Sequence, residues 1–227
     1  MNQSIVYSNA YYSDAPYERA KERPQSLGIL GGSFNPVHWG HIYLAKLAMD
    51  RFALTRVLLL PSGDPPHKPE KGMLSACHRL AMVRLAAEEL PGLTVSDMEV
   101  RRRGKTYSVD TLEILKAALP QTELYYIIGT DAFLGFWEWR NVPRVVELCT
   151  LLVFMRPGCD MQAVFDMAQD LREKVGAKVH LFNDMGIDVS ASMVRSHIKK
   201  GKPIERLVPP SVAAYIQRHG LYMEQEE

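Results

Sequence analysis

The chain has 227 residues, 47% apolar and 23% charged, which suits one α/β domain with a sizeable core. Its formal net charge of +1 gives no bulk electrostatic reason to expect nucleic acid or a membrane surface as partner. No apolar run approaches the roughly 18 residues of a membrane span and no signal-peptide core is evident, while Cys77, Cys149 and Cys159 are odd in number and widely spaced, which favours a reducing, cytoplasmic setting over disulfides or a metal.

Residues 1–26 carry Tyr7, Tyr11, Tyr12 and Tyr17 among Ser, Asn, Asp and Pro with no periodic face, and read as a weakly ordered extension. Leu27-Gly28-Ile29-Leu30 has the length of a buried strand, and Ile42, Leu44, Ala45, Leu47, Ala48 and Met49 recur at helical spacing over about 39–52. Gly31-Gly32-Ser33-Phe34-Asn35-Pro36-Val37-His38-Trp39-Gly40-His41 is therefore a strand-to-helix turn. Its two glycines let backbone approach a ligand closely. The helix start offers free N–H groups to an anion. His38 and His41, three apart, share one face from which they can donate to phosphate oxygens. No Gly-Lys-Ser/Thr follows, so this is not a Walker loop, and the Gly-x-Gly-x-x-Gly spacing of dinucleotide folds is absent. Zinc is disfavoured, because its usual helical histidine pair is four apart with a carboxylate beside it. A Gly-Pro turn with two solvated histidines is the bland alternative.

Arg56–Pro61 reads as a strand buried on both faces. It runs into Ser62-Gly63-Asp64-Pro65-Pro66-His67-Lys68-Pro69, a loop that can be neither helix nor ladder. Loops after strand C-termini bind ligands in open α/β sheets, so His67 and Lys68 are candidate contacts, with plain solvation as the alternative. Ser75 caps a helix that runs to Leu90 and is closed by Pro91-Gly92. Leu93–Ser96 is a short strand, Arg101–Arg103 a solvated edge, and 104–112 opens a helix capped by Thr106 or Ser108. Glu123–Ile128 leads into Gly129-Thr130-Asp131, where Asp131 is either a helix cap or a ligand contact. The aromatic run Phe133 to Trp139 suits core, or stacking on a flat heterocycle. Leu151–Met155 is a strand, 160–175 an amphipathic helix and Lys178–Phe182 the last strand. Ser190, Ser192 and Arg195 open a short helix that is a second phosphate-binding N-terminus or an ordinary Ser-capped one. Ser211–Arg218 is the closing helix. Strands alternating with helices predict an α/β fold, a Rossmann-like doubly wound parallel sheet in a single domain over 27–222, followed by a tail over 223–227.

The Gly31–His41 turn resembles the signature of the nucleotidyltransferase superfamily. Added to it, Pro65-Pro66-His67-Lys68, Tyr107–Leu112, Ile128–Asp131, Trp137 with Trp139, Ser190–Arg195 and the Val208–Tyr222 ending are similar to the bacterial nicotinate-nucleotide adenylyltransferases over about 27–222. The resemblance implies transfer of AMP from ATP to nicotinate mononucleotide, giving deamido-NAD and pyrophosphate in NAD biosynthesis, with Mg²⁺ on the triphosphate. It assigns catalysis to His38, His41 and Arg195, and ATP binding to Gly31, Gly32, Ser33, Phe34, Gly129, Asp131 and Ser192. His67, Lys68, Ser108 and Trp137 fall to the acceptor nucleotide, and no residue to a metal. Ser192 stands where the pattern has Thr, Asn35 where Asp is commoner, and the N-terminal extension is unusual; none removes a reacting group. The rivals are a sister adenylyltransferase using nicotinamide mononucleotide or phosphopantetheine, and a non-catalytic nucleotide sensor. Nicotinate preference requires N–H donors or a cation at the carboxylate, which the sequence does not display. The oligomeric state, a homo-oligomer included, stays open.

Overall fold

Apolar runs bounded by turn residues become the strands of one parallel sheet. The computed structural model describes residues 25–63, 72–156, 158–183 and 187–223. Its strands are β1 (Ser26–Gly32), β2 (Arg56–Pro61), β3 (Leu93–Val95), β4 (Glu123–Gly129), β5 (Thr150–Phe154) and β6 (Val179–Phe182). Their order is β3-β2-β1-β4-β5-β6, with every pairing parallel. Winding proceeds outward in one direction from β1 and in the other from β4. The crevice beyond the C-terminal ends of those two central strands is where such a sheet takes its ligand.

Helices cover both faces, as parallel strands require. One face packs α1 (Trp39–Phe52), α2 (Ala76–Glu88), α8 (Ala191–Lys199) and α9 (Pro210–Arg218), through buried Ile42, Ala45, Met82, Val83, Val194 and Val212. The other packs α4 (Ser108–Ala118), α5 (Thr130–Leu134), α6 (Val142–Leu148) and α7 (Met161–Val175), through Val109, Leu112, Phe133, Val145, Val164 and Leu171. A short α3 (Met98–Arg101) precedes α4. Ser75, Asp160 and Ser190 each accept a first-turn N–H, from His78, Ala163 and Met193, which fixes where α2, α7 and α8 begin.

The doubly wound parallel sheet is as expected, and several local expectations are corrected. Neither Thr106 nor Ser108 caps α4; Tyr107 is the cap residue, and the Ser108 hydroxyl instead lies 3.1 Å from that of Tyr126. Asp131 caps nothing, because α5 starts at Thr130 with Gly129 as its cap residue, and Asp131 pairs with Arg156. The Arg101–Arg103 edge includes the last residue of α3, where Arg101 meets Asp97 at 2.9 Å. Helix α6 was not foreseen. The expectations for residues 1–24, for His67 and Lys68, and for 224–227 lie outside the described residues.

Candidate active site

The turn after β1 is held from many directions. A Cβ at Gly31 would stand 2.5 Å from the Tyr126 hydroxyl, so a larger residue there has to displace that buried ring. Phe34 takes a left-handed backbone, φ 46°, which an aromatic residue adopts only when its surroundings impose it. Those surroundings are specific. The Asn35 amide donates to the Gly72 carbonyl at 3.1 Å, and its Oδ1 accepts from the Leu74 N–H at 3.2 Å and the Tyr222 hydroxyl at 2.8 Å. The Asn35 carbonyl accepts from Arg195 Nη1 at 2.7 Å. Behind the turn, Arg79 donates to the carbonyls of Ser33 (2.7 Å), Gly63 (2.9 Å) and Leu74 (3.0 Å).

His38 is the N-cap residue of α1, and its backbone N–H donates to His41 Nδ1 at 3.3 Å. A ring that accepts at Nδ1 carries its proton on Nε2, so His41 is fixed as an Nε2–H donor. The two imidazoles lie against each other, centroids 3.7 Å apart, and Phe34 packs on His41 at 4.8 Å. His38 is only 4% exposed, and its Nδ1 has no hydrogen-bond partner among the described residues. Burial, with a smaller contribution from the Arg156 charge, pulls its pKa from 6.5 to about 4. His38 is therefore uncharged at neutral pH and brings a hydrogen-bonding group to the crevice.

That burial makes stability pH-dependent. Between the folded value of about 4 and the unfolded value of 6.5, the unfolded chain binds more protons, so stability rises with pH there. The contribution is whole above the unfolded pKa and is lost as pH falls toward the folded one. Comparing His38→Gln with the parent by denaturant unfolding at about pH 7 and about pH 4.5, the parent loses roughly 2 kcal/mol more than the variant. Equal losses in the two proteins would remove His38 as the cause. Glu99, whose burial raises its carboxyl pKa and so acts in the opposite sense, is common to both.

The histidines open into a cavity of about 720 Å³ beyond β1 and β4. Gly31, Gly32, Ser33, His38, His41, Ser108, Gly129 and Asp131 all line it. Four other candidates do not. Phe34 is buried beneath the turn, and Arg195 donates from Nη1 to the Asn35 carbonyl. Ser192 is exposed on the first turn of α8, with its hydroxyl 2.9 Å from that of Ser190, the serine that reaches the cavity wall. Trp137 faces α7 instead: its indole N–H donates to Asp170 at 2.9 Å and Lys174 sits 5.8 Å from its ring centroid. The tryptophan in the wall is Trp139, edge-on to Tyr126 at 5.5 Å and packed on Phe136 at 4.8 Å.

Further lining residues had not been singled out as site candidates: Arg156, Glu99, Tyr126 and Arg140. Arg156 pairs with Asp131 at 2.9 Å across the mouth of the β4–β5 end. The Glu99 carboxylate is buried and accepts from the Thr111 hydroxyl at 2.8 Å, beneath the start of α4. The lining thus combines two kinds of group. Histidines, glycine backbone and the α1 N-terminus suit phosphates. Trp139, Tyr107 and Tyr126 suit a flat ring.

The sequence profile described as cytidylyltransferase-like matches residues 29–197. A Desulfitobacterium hafniense protein named "Probable nicotinate-nucleotide adenylyltransferase" is 40% identical over 200 residues, covering 88% of this chain and 96% of its own. A Syntrophotalea carbinolica protein of the same name is 40% identical over 214 residues, covering 88% and 98%. Among solved structures, the Plasmodium falciparum nicotinic acid mononucleotide adenylyltransferase complexed with NaAD shares the fold, with a TM-score of 0.72 at 18% identity over 87% of this chain and 97% of that one.

Proposed function

Because the chain belongs to the nicotinate-nucleotide adenylyltransferases of the cytidylyltransferase-like family, we infer that it transfers the AMP part of ATP to the phosphate of nicotinate mononucleotide, releasing pyrophosphate and forming deamido-NAD in NAD biosynthesis. The observation that carries this for the chain itself is the single cavity joining the His38–His41 turn to the aromatic wall. We place the activity in residues 27–222 and the enzyme in the cytoplasm. In support, no described helix is long and apolar enough to cross a membrane, and the three cysteines are free.

An acceptor phosphate oxygen attacks the α-phosphorus of ATP, a new P–O bond forms, and the bond to the β-phosphate breaks as pyrophosphate leaves. The nucleophile arrives already ionised, so the protein supplies alignment and stabilisation of the charge that spreads over the phosphoryl oxygens. We assign that stabilisation to the His41 Nε2–H, to His38 and to the backbone of Gly31, Gly32 and Ser33. Arg195 acts through the turn it clamps, by way of the Asn35 carbonyl. Phe34 shapes the turn and packs on His41. Gly129 and Asp131 face the adenosine end, with Arg156 beside them, and Ser190 with Ser192 the outer phosphates. His67, Lys68 and Ser108 remain our assignments to the acceptor, with Trp139 in the place expected of Trp137.

Mg²⁺ enters with the triphosphate. Among the described residues no three His, Cys, Asp or Glu side chains converge on one point, so we place the ion on phosphate oxygens and water. The test is pyrophosphate release with ATP and Mg²⁺, comparing nicotinate mononucleotide, nicotinamide mononucleotide and phosphopantetheine. The expected result is a strong preference for the nicotinate form, abolished by a chelator. Preference for phosphopantetheine, or ATP binding without turnover of any acceptor, would overturn the reading.

A further inference from the structure

One cation on the cavity wall takes no part in the transfer step. Arg140 follows Trp139 at the end of the aromatic run, and its guanidinium carbon stands 4.8 Å from the centroid of the Tyr107 ring. Arg140, Tyr107 and Trp139 all line the cavity, where they form the end of its aromatic wall. Tyr107 is the cap residue of α4, and Ser108 and Val109 of that helix's first turn line the same wall, so the positive end of the helix dipole lies there too. Two carboxylates also reach this end. Glu99 accepts from Thr111, and Glu138 is exposed. Among the described residues neither they nor any other carboxylate forms an ion pair with Arg140.

A ring lying against Trp139 and Tyr107 would carry its substituent toward this cation. Pyridine acids and pyridine amides have the same shape there and differ by one full charge. A guanidinium presents two parallel N–H donors that match a carboxylate and meet the NH₂ of an amide unfavourably. Stacking on Tyr107 holds the plane of that fork without neutralising it.

We propose that Arg140 is the specificity-determining residue that selects an acceptor bearing a carboxylate on its pyridine ring over the corresponding amide. The proposal rests on the reading of the protein as a nicotinate-nucleotide adenylyltransferase and adds the side chain that reads the acid. Because Arg140 is exposed to solvent, it contributes discrimination of moderate size.

The test measures kcat/KM for nicotinate mononucleotide and for nicotinamide mononucleotide, by pyrophosphate release, in the parent, Arg140→Gln and Arg140→Lys. Arg140→Gln lowers the acid-over-amide ratio by about 10-fold, chiefly through KM for the acid, as expected for a lost charge-assisted hydrogen bond. Arg140→Lys lowers it by about 3-fold, because the charge remains while the fork and the stack are lost. KM for ATP shifts by less than about 2-fold in both, which separates acceptor recognition from a general disturbance. An unchanged ratio in Arg140→Gln, or equal losses with both acceptors, overturns the proposal and leaves the reaction standing. A parent enzyme that turns over neither pyridine nucleotide overturns both, and shows it before any variant is made.

Discussion

His41→Ala lowers kcat for pyrophosphate release by about 10³-fold, the scale of removing one preorganised donor from a developing oxyanion. His41 is the histidine whose donor is fixed: the His38 N–H occupies Nδ1, so the proton sits on Nε2. Its ring is wedged between Phe34 and His38, which leaves little orientational freedom to lose when substrate binds. The effect falls on kcat more than on KM for ATP, because the interaction strengthens as charge develops. The structural cost comes from the lost acceptor of the His38 N–H and the lost packing against Phe34 and His38. Loss of about 1 kcal/mol lowers Tm by about 3 °C in a chain of this size. A folded variant retaining kcat within about 10-fold of the parent would remove His41 from the stabilising group.

Arg79→Met destabilises the protein by about 4 kcal/mol. Arg79 is 1% exposed and donates to three main-chain carbonyls, with no carboxylate partner among the described residues. Burial pulls its pKa down, yet a guanidinium starts so high that it stays charged. Methionine fills the space but leaves the carbonyls of Ser33, Gly63 and Leu74 without donors, each an orphan acceptor costing about 1–3 kcal/mol. Removal of the desolvation cost of a buried cation returns part of that. Denaturant unfolding in the cold measures the difference. A loss under about 1.5 kcal/mol would mean that water replaces the guanidinium at those carbonyls.

Contiguity decided what could be read from the sequence. The turn from Gly31 to His41 has its donors, glycines and proline side by side, so its chemistry was legible before any fold was known. The strands were legible because continuous apolar runs such as Arg56–Pro61 and Leu151–Met155 have no other stable use in an alternating pattern. Arg79 was readable in part: with Met82, Val83 and Ala86 it follows helical spacing on the buried face of α2, which asks what a buried guanidinium is holding. Its three carbonyl partners are tertiary and leave no trace in the sequence. Trp137 and Trp139 could not be separated. They flank the end of a 3₁₀ turn (Phe136–Glu138), and Trp139 leaves it with extended backbone, φ −71° and ψ 147°, so a two-residue step sends one ring to α7 and the other to the cavity. Helix α6 did carry a signal, Pro143 in its first turn, but a seven-residue helix is too short for periodicity to announce it. Arg140 and Arg156 are ordinary charges in sequence and become significant only through the wall they share.

Tyr222 closes the turn from 187 residues away, donating to Asn35 from beyond the last helix. Arg195, 160 residues distant, holds the carbonyl of the same residue. Contacts of such separation are the last that a growing chain can make. During synthesis the histidine turn emerges well before Arg195 and Tyr222, and it waits for both before its clamps exist. An incomplete chain therefore carries the reactive groups without the frame that aims them. A product cut short before Arg195 and Tyr222 therefore withholds its chemistry from the nucleotide pool.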